Sequence, residues 1–301
     1  MKSLLKSILF KKLYPKPFFG IRLFNGEIKE KVFLQNANLE LDVSDRHNIV
    51  CESPFCIAVW VNKDNLSACN ANKLRLKIVK GEKLLTLLHI ELLKTLGQSN
   101  GAILIFQIMK VRCYQVNLLH QFILLTFFFS KKRHTYTEAE KYGALYSYPR
   151  RVIVTSFRDN DYYNMFPMDF QGEYAEENIY LLGLKATNIT VNKIIEKKQV
   201  VISSTEAIDT KTIYDLGAHH SNTPPKIEDL SFNVADSELL KFPVPEFASS
   251  YREIEIVNAI KLGSHIMLVG KVINSKILKK ELCSLYHVHF FEQLESRFRE
   301  V

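Results

Sequence analysis

The chain has 301 residues, of which 47% are hydrophobic, enough to bury a sizeable core and to form two units of about 100–200 residues each. Charge is uneven, because residues 1–150 hold 23 Lys and Arg against 11 Asp and Glu, whereas residues 151–301 hold 17 against 21. The five cysteines include no Cys-x-x-Cys pair and no histidine at zinc-finger spacing, which argues against a disulfide framework and a zinc finger; we interpret them as reduced thiols of a cytoplasmic protein.

Two apolar stretches invite a membrane interpretation. Lysines interrupt the segment Met1–Pro17 and no small-residue cleavage site follows, which favours a short basic amphipathic helix over a signal peptide. Leu118–Phe129 is shorter than the roughly 20 residues that span a bilayer, so we expect buried core and no integral membrane segment. The basic cluster Lys131–His134 lacks the wide face with stacking aromatics of a nucleic-acid site, so we expect no specific nucleic-acid partner.

The first half is dominated by strand signals. Runs rich in β-branched and aromatic residues alternate with turn sequences, and Thr137 followed by acidic residues predicts the start of a helix. The predicted strands are Phe18–Phe24, Lys31–Val43, Ile49–Val61, Lys73–Val79, Gly101–Gln107 and Val111–Leu119. The four-residue spacing of the leucines in Leu84–Leu96 predicts a helix there. We detect no internal repeat, and we assign residues 1–135 to an accessory β-rich domain of unknown role.

The second half has a denser pattern. Strands are predicted at Arg151–Arg158, Tyr162–Gln171, Ile179–Lys185 and Val200–Ser203, with an acidic turn after the first strand and a helix at Thr190–Lys197. Antiparallel strands with one short inserted helix favour a small closed barrel, which leaves no exposed sheet edge.

Three segments of this half resemble the flavin reductase-like FMN-binding split barrel family. They are Asn164–Asp169 on the second strand, Leu184–Thr190 at the entry to the helix, and Gly263–Val272 further on. The resemblance covers about residues 145–290. It implies a mainly β protein whose residues 136–301 form a Greek-key split β-barrel with short helices, preceded by the β-rich N-terminal domain.

The resemblance also implies site residues. The flavin ring would lie along Asn164, Met165, Phe166, Pro167 and Met168, and the phosphate would be held by Lys185, Thr187, Asn188 and Thr190. A phosphate needs backbone amides at a helix start, a polar donor and a cation. His265 would lie near the flavin or the nicotinamide, as the catalytic residue.

Simpler interpretations stay open. Asn188 and Thr190 are favoured at a helix start without any ligand, and a single histidine is more often a packing residue. Adjacent His219 and His220 diverge in an extended chain, so no metal site is expected. Two positions depart from the family pattern: Asp169, which would repel a phosphate and is expected to point away from the flavin, and Val191, where reductases of this type often have histidine.

The function implied by the resemblance is hydride transfer by a flavin-dependent oxidoreductase. FMN, or FAD as the alternative, would take electrons from NADH or NADPH, and the substrates would be small molecules. A homodimer with flavin at the subunit interface is expected. The segment Asp215–Phe247 would cover the site, lined by Tyr214, His219 and Phe232. The alternatives are a flavin-binding module or sensor without turnover, and a dimeric interaction scaffold that has lost flavin.

Overall fold

The structure is a computed structural model that describes residues 18–24, 26–69, 74–115, 122, 136–206, 208–218, 224 and 226–289. The predictions for Met1–Pro17, most of Leu118–Phe129, Lys131–His134, and His219 with His220 lie outside these residues. Within them the protein is mainly β with short helices and a split-barrel arrangement, which confirms the predicted fold class.

The first half of the described chain forms one seven-stranded antiparallel sheet in the order β3-β2-β6-β7-β8-β5-β4. Strand β1, Phe18–Phe24, comes first in the chain and lies outside this sheet. The elements that follow are β2 Glu30–Gln35, β3 Glu40–Asp42, β4 His47–Cys51, β5 Cys56–Asn62, helix α1 Lys63–Cys69, β6 Arg75–Lys80, β7 Lys83–Gly97, β8 Gly101–Cys113 and helix α2 Tyr136–Leu145.

The second half forms another seven-stranded antiparallel sheet, in the order β11-β10-β14-β17-β18-β13-β12. After β9 Arg150–Arg151 its elements are β10 Ile153–Asp159, β11 Tyr162–Met168, β12 Gln171–Tyr174, β13 Ile179–Lys185, helix α3 Ile189–Lys197, β14 Gln199–Ser203, helix α4 Thr210–Gly217, β15 Val234–Asp236, β16 Pro243–Pro245, β17 Ser250–Lys261, β18 His265–Ile277 and β19 Cys283–His289. Single-turn 3₁₀ helices lie at Ala175–Glu177 and Ile227–Asp229.

The helix predicted at Leu84–Leu96 is wrong, because this segment lies in strand β7, paired with β6 on one side and β8 on the other. A spacing of four residues is also a multiple of the strand period of two, so the leucine pattern fits either structure. The long partner strands decide between them. Likewise β8 is one strand where two were predicted, Gly101–Gln107 and Val111–Leu119.

Two elements cross the boundary predicted at residue 135. The end of α2 packs in the core of the first half, since Ala144 and Leu145 share a cluster with Leu104 and Phe106 of β8. Strand β1, in turn, pairs with β19 of the second half. The two halves therefore exchange elements, and a third cluster of buried residues lies between their sheets.

Candidate functional site

The junction between β13 and α3 is the part of the predicted site that faces solvent. Lys185, the last residue of β13, and Thr187 are exposed. Asn188 caps α3, because its Oδ1 accepts a hydrogen bond from the backbone N–H of Thr190 at 2.9 Å. An asparagine in extended conformation at this position satisfies an orphan amide and fixes where the helix begins. The junction thus presents one cation and one hydroxyl beside a helix N-terminus.

The capped end is attached to the second strand of the barrel. Asn164 Nδ2 donates to Thr190 Oγ1 at 2.8 Å, and the hydroxyl groups of Tyr162 and Thr190 also lie 2.8 Å apart. Asn164 and Thr190 are both fully buried. These two predicted ligand residues therefore bond to each other, and their role in this geometry is to hold the start of α3 against β11.

The other predicted ring-lining residues lie largely in the interior. Met165 packs in the cluster that includes Ile213 and Leu216 of α4, while Phe166 packs inside the barrel. Pro167 and Met168 are half-buried. Side chains on alternate faces of β11 are thus covered by protein, so a ligand would meet the strand's C-terminal end rather than its faces.

His265 lies directly across from Lys185 in the pairing of β13 with β18. Its ring is buried and stacks on Phe170, with centroids 5.1 Å apart. Nδ1 lies 2.8 Å from Ser264 Oγ and accepts from the backbone N–H of Glu52 at 3.5 Å. His265 is therefore packed beneath a turn of the first half, between β4 and β5. The sequence held no signal for that turn, or for Phe170, as parts of the site.

Asp169, the departure from the family pattern, has two partners. Its Oδ2 accepts from Arg150 Nη2 at 2.9 Å and lies 2.7 Å from His287 Nδ1. Burial by itself would raise the pKa of this carboxyl, but the charge of Arg150 and the contact with His287 bring it down to about 2. The aspartate is therefore ionised and neutralised locally.

A cavity of about 280 Å³ lies between the two halves, next to this ion pair. Residues from both halves line it, among them Asn48, Tyr148, Arg150, Gln171, Ser203 and Arg252. Arg150 is buried, and its Nε and Nη1 have no hydrogen-bond acceptor among the residues that the structure describes. Its guanidinium lies 4.7 Å from the ring of Phe170, whose ring also stacks on His265. Phe170 thus connects the cavity to the strand end that carries Lys185.

In the segment Asp215–Phe247, predicted to cover the site, the described residues Leu230, Phe232, Val234 and Phe247 belong to one hydrophobic cluster with Met165 of β11 and Leu216 of α4. Tyr214 and Phe232 lie against the same cluster as Met165, and the hydroxyl of Tyr214 is 3.4 Å from His287 Nε2. His219 lies outside the described residues.

Within the described residues, no group of His, Cys, Asp and Glu side chains is arranged to hold a metal ion. None of the helices in that part of the chain is long and apolar enough to cross a membrane. The five cysteines are free thiols, four of them buried.

Comparisons with known proteins give structural likeness only. No family model and no curated protein matches the sequence. An FMN-binding protein from Thermus thermophilus is 16% identical over 44% of this chain and 72% of its own, with a TM-score of 0.38. The flavin reductase PheA2 is 16% identical over 47% and 86%, with a TM-score of 0.39. The NADH:FAD oxidoreductase SgcE6 of Streptomyces globisporus is 15% identical over 51% and 86%, with a TM-score of 0.43.

Proposed function

We propose that this protein binds FMN through its second half and acts as a flavin-dependent oxidoreductase. The observation that carries the proposal is the β13–α3 junction, where Lys185 and Thr187 are exposed beside the capped N-terminus of a nine-residue helix. Amides at a helix start, a hydroxyl and a cation are the groups that recognise a phosphate. Asn188, Thr190 and Asn164 hold this frame in place through their mutual hydrogen bonds.

The ring end of the flavin is proposed to lie beyond Phe170, towards the cavity. An isoalloxazine edge presents carbonyl and ring-nitrogen acceptors, and Arg150, which lines the cavity, has two buried nitrogens without an acceptor in the described part of the chain. His265 and Phe170 separate this end from Lys185, so phosphate and ring would occupy opposite ends of one row of side chains. When bound, the flavin supplies hydride transfer; the protein's residues orient it and offset its charge.

NADH or NADPH is proposed as the electron donor, with small molecules as substrates and FAD as the alternative flavin. Purified protein should carry flavin absorption bands or acquire them on addition of FMN, and those bands should bleach under anaerobic NADH or NADPH. Binding without bleaching would support the flavin-binding module or sensor. Absence of binding by both FMN and FAD would contradict the flavin proposal and favour the scaffold.

The phosphate assignment has a sharper test in Lys185→Glu. The substitution should weaken FMN binding at least tenfold and leave riboflavin binding within about twofold, because only FMN carries the phosphate. Lys271→Glu is the matched control: Lys271 is exposed on the same strand pair, opposite Ile179 at the far end from Lys185. Equal loss of FMN and riboflavin in Lys185→Glu would contradict the assignment.

A further inference from the structure

The two seven-stranded sheets have the same strand order. In each sheet, counted in order of appearance, two hairpins come first, a helix follows, and a strand and a final long hairpin complete it. Both sheets then place the second strand at one edge and the third at the other, with the final hairpin in the centre. Helix α1 follows β5 just as α3 follows β13. This gives β2–β8 the counterparts β10–β14, β17 and β18.

The equivalence extends to single residues. Strand β5 pairs with β8, and β13 with β18, over seven residue pairs each, which makes Asn62 equivalent to Lys185 and Gly101 to His265. The central hairpin of the first half has bulges at His89/Ile90 and Leu92/Lys94. The central hairpin of the second half has bulges at Glu253/Ile254 and Ile256/Asn258. The difference in residue number between each bulge and its counterpart equals the difference between Gly101 and His265. Bulges insert a residue at a defined place and persist within a fold.

Backbone hydrogen bonds outside the strand ladders also join equivalent residues in the two halves. Gln98 N–H donates to Gly101 O as Leu262 N–H does to His265 O, both at 2.9 Å. Two further pairs are Ile108 N–H to Phe55 O (2.8 Å) with Val272 N–H to Asn178 O (2.9 Å), and Lys63 N–H to Asn100 O (3.1 Å) with Ala186 N–H to Ser264 O (3.0 Å).

The equivalent strands also use equivalent faces. One face of β5 and of β13 points into its own barrel, through Ile57, Val59 and Val61 in the first and Tyr180, Leu182 and Leu184 in the second. The opposite faces share the cluster between the sheets, as do equivalent residues of β8 and β18. That cluster contains Cys56, Ala58 and Trp60 with Ile179 and Leu181, and Ile103 and Ile105 with Met267 and Val269.

Contacts between the halves are reciprocal. The β4–β5 turn packs on the β17–β18 hairpin, where Ser264 N–H donates to Ser53 O at 2.7 Å. The β12–β13 turn packs on the β7–β8 hairpin, where the N–H of Asn100, the equivalent of Ser264, donates to Glu177 Oε1 at 3.2 Å. Such exchange of equivalent contacts is the mark of an isologous, two-fold interface.

Asn48 and Gly172 meet where the axis of that interface would pass. Asn48 pairs with Ala58 of β5, and Gly172 pairs with Leu181 of β13. Because Ala58 and Leu181 are equivalent, Asn48 and Gly172 occupy equivalent positions. A Cβ on Gly172 would lie 2.0 Å from Asn48 Cγ. In the amide orientation that satisfies its neighbours, Asn48 donates to the carbonyls of His47 and Gln171, which are themselves equivalent.

We propose that residues 30–113 and 153–277 are two copies of one fold, paired within a single chain about this pseudo-two-fold axis. The first copy takes the place of a second subunit. The turn Glu52–Phe55, which lies beside His265 and Ser264, is then the residue set that the first copy contributes to the site in the second. Only the second copy carries Lys185 and His265; the first has Asn62 and Gly101 there. The chain therefore has one phosphate site. This single site rests on the proposed flavin function, but the pairing of the two copies is independent of that function.

The pairing is tested first by mass. Analytical ultracentrifugation of the full chain at micromolar concentration should give a monomer of 34.9 kDa. A stable homodimer would overturn the inference that the first copy replaces a second chain.

The axis is tested by exchanging its two residues. Gly172→Asn should lower the melting temperature by several degrees, since two asparagine side chains would compete for one space. Combining it with Asn48→Gly should recover at least half of that loss, because the introduced asparagine reaches the same two carbonyls from the equivalent position. If the single variant does not fold, recovery of folded protein in the exchange is the supporting result. An exchange no more stable than the single variant would overturn the symmetry.

The site asymmetry is tested by FMN titration. One FMN per chain is expected, with at least tenfold weaker binding in Lys185→Glu and a change within twofold in Asn62→Asp, which keeps the capping oxygen of α1 and adds a negative charge. Two FMN per chain, or equal loss in both variants, would overturn the single site. Failure of any flavin to bind would contradict the proposed function and leave the mass and exchange tests to decide the pairing.

Discussion

At the scale of single residues, the ion pair of Arg150 and Asp169 shows how a residue that looks wrong for a site can be accommodated. A carboxylate near a flavin phosphate would repel it. Asp169, however, bonds to Arg150 and His287, and the charge of Arg150 offsets that of the carboxylate. The aspartate was visible in the sequence. Its partners lie 19 residues earlier, on β9, and 118 residues later, on β19, and no local pattern connects them.

Asp169→Asn should destabilise the protein at neutral pH by about 2 kcal/mol or more, because it leaves a buried guanidinium without its counter-charge. The folded pKa of about 2 lies below the ordinary value of 3.8, so the stabilisation is complete above about pH 4 and is lost as pH falls through about 2. Denaturant unfolding of wild type and variant at several pH values measures this. A difference in stability that stays constant down to pH 2 would contradict the assignment.

Thr190→Val should cost about 1–3 kcal/mol, since it removes the acceptor used by Asn164 Nδ2 while keeping the shape of the side chain. Thr190→Ser retains the hydroxyl and is the control, with a smaller loss expected. Urea unfolding of both variants provides the comparison. Equal stability of the valine variant and wild type would show that the buried bond does not hold α3 in place.

At the scale of elements, α3 and β7 show what local sequence can specify. Helical spacing predicts α3 to within one residue, and the Asn188 cap fixes where the helix begins. Strand β7 was mistaken for a helix because its leucine spacing satisfies both periods, and only pairing with β6 and β8 selects the strand.

Asn188→Ala should destabilise the protein by about 1 kcal/mol through loss of the cap, and should also weaken FMN binding because the amides of α3 lose their fixed orientation. Asp209→Ala is the control, since Asp209 also caps a helix: its Oδ1 accepts from the backbone N–H of Thr212 at the start of α4. The control should lose similar stability without loss of FMN affinity. Melting temperatures and FMN titrations of both variants distinguish a phosphate-binding helix end from an ordinary cap.

At the scale of the whole molecule, the hairpin tips are where the halves interlock. Gly263 has a φ of +98°, and a Cβ there would lie 2.4 Å from the carbonyl oxygen of Ser53 in the first half. Glycine is required at this position both by its conformation and by the close approach of the other half.

Gly263→Ala should therefore lower the melting temperature much more than Gly26→Ala. Gly26 has a similar φ of +86°, but no atom of the described residues lies within 4 Å of the position that an alanine Cβ would take. The difference between the two variants therefore isolates the contact between halves. Thermal unfolding followed by circular dichroism checks this. Equal shifts would mean that the strain of the backbone, and not the interface, sets the cost.

The sequence by itself determined the mainly β class, the strand Ile179–Lys185 and the place of α3 to within one residue, because alternation, helical spacing and turn chemistry are local. The resemblance predicts Asn164 and Thr190 as flavin ligands, and no local pattern reveals that they bond to each other. Only the tertiary structure joined Arg150 to Asp169, placed the first half against His265 and brought the two sheets into the same topology. The repeat is not visible in the sequence because packing requires only a pattern of hydrophobic alternation and bulges, and many different side chains satisfy that pattern. The shared strand order becomes visible only once the strands have paired.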